Sequence, residues 1–107
     1  MTHDEFAALA LSLSGVEEGT HFGKRDFRAS GKVFASLPVP TTANIGFTPD
    51  QQQLMLEVHG DLYTPLAKSW GARGWTALDL TRAEAGRVLS ALTMARDNVL
   101  AKKKKKG

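Results

Sequence analysis

The stretch DFRASGKVFASL, Asp26 to Leu37, decides the fold. Asp26-Phe27-Arg28-Ala29 and Lys32-Val33-Phe34-Ala35-Ser36-Leu37 are two extended arms rich in aromatic and β-branched residues. Ser30-Gly31 joins them, a two-residue connection in which glycine supplies the positive φ that a tight hairpin turn requires. Pairing across that turn sets Phe27 opposite Phe34 and Arg28 opposite Val33. Pro38 and Pro40 are expected to end the second arm, because proline has no N–H for a ladder. Asn44 to Thr48 follows as a third arm, with Ile45 and Phe47 on one face.

On the N-terminal side, Thr2-His3-Asp4-Glu5 is a capping box. The Thr2 hydroxyl accepts from the Glu5 amide while the Glu5 carboxylate reaches back. Phe6, Leu9, Ala10 and Leu13 recur at helical spacing, so a first helix is expected over about residues 3–13, stopped near Gly15. On the C-terminal side, Thr48-Pro49-Asp50-Gln51 opens a second helix carrying Leu54, Met55 and Val58, and Gly60 stops it. Asp61 to Ser69 contains Pro65 and reads as a short extended piece and a loop. Trp75 to Leu80 alternates as a strand. Thr81-Arg82-Ala83-Glu84 reads as a third capping box before a helix with Ala85, Val88, Leu89, Leu92, Ala95 and Val99 on its apolar face. The order is α-β-β-β-α-β-α: an α+β fold, an antiparallel sheet flanked by N- and C-terminal helices.

The chain has 107 residues, 42% hydrophobic and 23% charged, the composition of one globular domain. The formal charge of +3 misleads, because five of the fourteen cations are Lys102 to Lys106. Nine remain against eleven acids, so the body carries about −2. A block of like charges repels itself and stays solvated. The expected organisation is therefore a single domain over residues 1–100 and a disordered lysine-rich tail over 101–107. No apolar run approaches the roughly 18–20 residues of a membrane span. Met1 runs almost directly into a capped helix with no basic-then-apolar leader, and there is no cysteine. A cytoplasmic protein without membrane contact is the expectation.

Catalytic constellations are missing from the pattern. His3, His21 and His59 have neither HxxxH nor HExxH spacing, and no cysteine completes a zinc set. His21, beside Phe22 in an expected strand, reads as a structural, hydrogen-bonded histidine or a pocket residue. Glu17 and Glu18 are adjacent, so they diverge instead of flanking one bond. Gly23-Lys24-Arg25 lacks the remainder of a phosphate loop, and Gly71-Ala72-Arg73-Gly74 reads as a tight turn between two tryptophans. Trp70 and Trp75 are expected to anchor the core against the terminal helices, with a stacking platform for a base as the alternative. No enzyme, cofactor or metal is expected.

The string LSLSGVEEGTHFGKRDFRASGKVFASLP (11–38), the segment Trp70-Gly71-Ala72-Arg73-Gly74-Trp75 and the closing helix together resemble the MmcQ/YjbR family. The likeness covers about residues 3–99 and departs from the family pattern at PVPTTAN (38–44) and Glu57-Val58-His59-Gly60. It implies a small α+β domain of the kind likened to "double wing" DNA-binding folds. The function it implies is a non-catalytic, low-specificity DNA-binding module acting on the phosphate backbone. Lys24, Arg25, Arg28, Lys32 and Arg73 are the candidate contacts. The bland reading of those cations is a solvated edge that deters strand-to-strand aggregation. The rival function is a protein- or small-ligand-binding domain that uses a groove between the sheet and the terminal helix. The chain is expected to be a monomer or weak dimer.

Overall fold

The computed structural model describes the backbone of residues 1–106 and the side chains of residues 1–102. In chain order the elements are α1 (His3–Leu11), β1 (Val16–His21), β2 (Lys24–Ala29), β3 (Lys32–Val39), β4 (Thr42–Gly46), α2 (Pro49–His59), β5 (Tyr63–Pro65), α3 (Lys68–Ala72), β6 (Trp75–Asp79) and α4 (Ala85–Lys106). The expected α+β order is present. Two short elements are additional, β1 and the five-residue helix α3, which carries Trp70 where a loop and turn were expected; β5 is the short extended piece expected within Asp61 to Ser69.

The six strands form one antiparallel sheet in the order β1-β2-β3-β4-β6-β5. Alternation along each strand assigns two faces. One carries Phe27, Ala35, Ala43, Ile45, Thr76 and Leu78, all buried, and α4 packs against β2, β3 and β4 on that side. Helix α1 packs on both α4 and β1, and Phe6 meets Phe27 with ring centroids 5.6 Å apart. Leu92, Val88 and Leu80 complete this core. Each such side chain contributes roughly 1.5–3 kcal/mol by leaving water. Val88, Leu92 and Ala95 fill the space between the sheet and the terminal helix, and at the edge of that helix a cavity of about 350 Å³ opens between α4, α2 and Tyr63 of β5.

Both N-terminal capping boxes form: Thr2 with Glu5 and Thr48 with Gln51. The third does not. The Thr81 hydroxyl donates instead to the Asp79 carboxylate at 2.6 Å, and α4 begins at Ala85. The central hairpin keeps Arg28 opposite Val33, but Phe27 pairs with Ala35, not Phe34. A bulge at Phe34 turns two consecutive residues, Phe34 and Ala35, toward the buried side. Pro38 lies within β3 instead of ending it, and the β3–β4 register slips between Ser36 and Val39, where the ladder lacks a proline N–H. Of the tail expected to be disordered, Ala101 and Lys102 continue α4. The side chains beyond Lys102, and Gly107 altogether, lie outside the described residues. Among the described residues no helix is long and apolar enough to cross a membrane.

Candidate functional site

The second face of the sheet has no helix layer over it, and there the chain builds a cleft of about 510 Å³. Its floor is Asp26, Val33, Ser36 and Asn44, residues of β2, β3 and β4 that strand alternation sends away from the core. His21, Lys24 and Arg28 stand on one side, and Leu66, Trp70 and Trp75 on the other.

The tryptophan wall depends on glycine at two positions. The segment from β5 doubles back through α3, and Gly71 lies so close to the Leu66 carbonyl that a Cβ would overlap it. Gly74, at φ +109°, brings the chain against the Phe47 carbonyl equally closely before β6 begins. Gln52 of α2 ties this turn down, its amide donating to the carbonyls of Gly71 (3.0 Å) and Trp75 (3.2 Å). The outcome is an edge-to-face pair, Trp70 on Trp75, with centroids 6.2 Å apart. Trp75 is half-buried on the open face and Trp70 is 55% exposed. Neither tryptophan packs against the terminal helices, contrary to the sequence expectation. The spacing of the motif is what the backbone approaches demand.

The five candidate cations separate. Lys24 lies at the cleft, and its Nζ donates to the Pro38 carbonyl at 2.7 Å, a bond that leaves its charge uncompensated. Arg28 also lines the cleft, but its guanidinium is bound by Asp26, Nε to Oδ1 at 2.8 Å and Nη2 to Oδ2 at 3.0 Å. That pairing raises the guanidinium above its ordinary value, so it stays charged at any working pH. Arg25 contributes to the lining, yet its guanidinium turns toward α1. It holds Glu18 at 2.7 and 3.1 Å and Asp4 at 2.8 Å. Its value is raised first by Glu18 and then by Asp4. Arg73 sits 5.6 Å over the Trp70 ring, a cation–π contact at the cleft's outer wall. Lys32 is exposed at the far end of the hairpin and outside the cleft.

The row of hairpin cations is thus not one surface. Lys24 and Arg28 line the cleft, Arg25 lines it too but its guanidinium binds Glu18 and Asp4, Arg73 lies over Trp70 outside the lining, and Lys32 stands apart. Sequence reasoning missed Asn44 as a site residue, and it held the cleft positions of Trp70, Trp75 and His21 only as alternatives to core or structural roles. The available signal was strand parity: Asp26, Arg28, Ser36 and Asn44 are the polar alternates of strands whose other face is apolar. Among the described residues no three His, Cys, Asp or Glu side chains are grouped as metal ligands. Nor does any buried side-chain nitrogen or oxygen there lack a hydrogen-bond partner.

A mixed α+β domain with one helix-covered sheet face and one aromatic-lined open face is the class this geometry defines. The family model YjbR matches residues 11–98, and the chain belongs to the YjbR family. Comparison with curated proteins and with solved structures gives no match.

Proposed function

We propose that the chain is a non-catalytic DNA-binding module whose contact surface is the open face of the sheet. The observation that carries this reading is the cleft itself, where exposed Trp70 faces the cationic side made by Lys24 and Arg28 across one space. An aromatic face accepts any base, and an ammonium or guanidinium accepts any phosphate, so the pairing favours nucleic acid without demanding a sequence. Low specificity follows from the same chemistry.

The test is fluorescence anisotropy with labelled DNA. Trp70→Ala should weaken binding roughly tenfold, within the 1–3 kcal/mol that base–aromatic stacking contributes. Arg25→Ala should leave the affinity unchanged, because that guanidinium faces α1. Equal loss from both substitutions would point to general electrostatics and against the cleft.

A second reading has one observation in its favour. The cleft volume of about 510 Å³ falls within the roughly 300–1,000 Å³ of small-molecule pockets. A small anionic aromatic ligand, such as a free nucleotide, would use the same residues. Competition of a mononucleotide with labelled DNA separates the two: displacement at micromolar nucleotide favours the small ligand.

A further inference from the structure

Two hairpins of this sheet turn through the same two-residue conformation. At Ser30-Gly31 the φ angles are 51° and 78°, and at Phe22-Gly23 they are 53° and 74°. Positive φ at both central positions marks the type I′ turn, which favours Asn, Asp or Gly at its first position. Ser30 is a small polar compromise. Phe22 is not: a bulky aromatic with positive φ is a conformational outlier that its own backbone disfavours.

Among the described residues nothing offsets that cost by burial. Phe22 is 90% exposed, the most exposed of the large apolar side chains described. Its contact is with the neighbouring His21 ring, 4.3 Å between centroids and tilted by 58°. His21 and Lys24, the pair that closes the turn, both line the cleft. The strained aromatic therefore stands beside the cleft's cationic side, while Trp70 and Arg73 stand at the opposite wall. Two aromatic–cation sets frame one concave surface.

We infer that Phe22 is a second stacking residue and that the occupant of this surface is a strand with unpaired bases. The inference rests on the DNA reading above and deepens it. A paired base keeps its face covered by its neighbours in the stack, whereas an unpaired one offers that face to Trp70 in the cleft and to Phe22 at its rim. The phosphates between them meet Lys24 and Arg28. The tip keeps an aromatic where the turn prefers asparagine because the contact is made with another molecule.

Phe22→Asn tests this in the full chain, since it installs Asn-Gly, the sequence the turn favours. The variant should melt at a higher temperature than the wild type and bind a fluorescein-labelled oligothymidylate of about twelve nucleotides roughly tenfold more weakly. Phe22→Tyr, which keeps the ring, should restore affinity. A duplex of equal length should bind more weakly than the single strand and respond less to either change. Wild-type protein that binds neither form of DNA would overturn the DNA reading and this inference together. Wild-type binding that survives Phe22→Asn, or a duplex preference, would overturn this inference alone. Vesicles containing phosphatidylserine are the control surface. Co-sedimentation lost in Phe22→Asn, with oligonucleotide binding intact, would make the tip a membrane anchor and overturn the stacking role.

Discussion

Asp26 and Arg28 hold each other along one side of strand β2, the carboxylate 2% exposed and bound by two guanidinium nitrogens at 2.8 and 3.0 Å. Asp26 lies on the cleft floor and Arg28 on its cationic side, so the pair couples the site to the stability of the sheet. Removing Arg28 leaves a buried carboxylate without its counter-charge. Arg28→Met should lower the melting temperature by several degrees, and adding Asp26→Asn should return most of the loss. A double-mutant cycle by thermal denaturation measures the coupling, and additive losses would show that the two residues act separately.

Gly74 is the hinge between the tryptophan wall and β6. Gly74→Ala places a Cβ against the Phe47 backbone at φ +109°, where neither partner can yield as a flexible side chain would. We predict a loss of about 3 kcal/mol or more, combining backbone strain of roughly 1–3 kcal/mol with overpacking of similar size. Urea unfolding reads it directly. A change below about 0.5 kcal/mol would mean that the turn relaxes freely.

Salt dependence separates the cleft cations from the rest of the hairpin. Each phosphate contact contributes about 0.7–0.9 to the slope of log affinity against log salt. Lys24→Ala should flatten the slope by about that amount, whereas Arg25→Ala should leave it unaltered because its charge is met by Glu18 and Asp4. Replacing Lys102 to Lys106 by glutamine tests the terminal charges in the same assay. Binding that vanishes with those lysines and ignores Lys24 would remove the cleft from the account.

Acid stability carries a sign that can be worked out. Thr81 donates to Asp79 from its hydroxyl at 2.6 Å and its amide at 2.9 Å, which holds the carboxyl below its ordinary value of 3.8. A depressed folded value gives stabilisation that is present above the unfolded value and lost as pH falls through the folded one. The wild type should therefore lose stability below about pH 4, and Asp79→Asn should lose less over the same range. Urea midpoints at about pH 7 and about pH 3 compare the two chains. Parallel curves would contradict the role of this carboxylate.

What was legible in the sequence was local. The boxes at Thr2/Glu5 and Thr48/Gln51 need only residues three apart, and both form. The box at Thr81/Glu84 failed because Asp79, two residues upstream, competes for the Thr81 hydroxyl. The bulge at Phe34 was hidden because a two-residue turn by itself specifies an unbroken register. Phe22 was read with His21 as part of a strand, yet Phe22-Gly23 is a turn tip. The cleft required pairings across five strands and the five-residue helix α3, too short for periodicity to reveal. Charge was the least legible feature: Arg25 and Arg28 are close in sequence and face opposite sides of the sheet.

If the open face of the sheet is where DNA is held, amide chemical-shift mapping during titration with a short single-stranded DNA will locate it there. Shifts are expected at His21, Lys24, Arg28, Ser36 and Asn44, with both indole N–H signals of Trp70 and Trp75 moving. Residues of α1 and the buried face of α4 should stay in place. Shifts confined to the C-terminal lysines or to the helix side, with the two indoles unmoved, would contradict it.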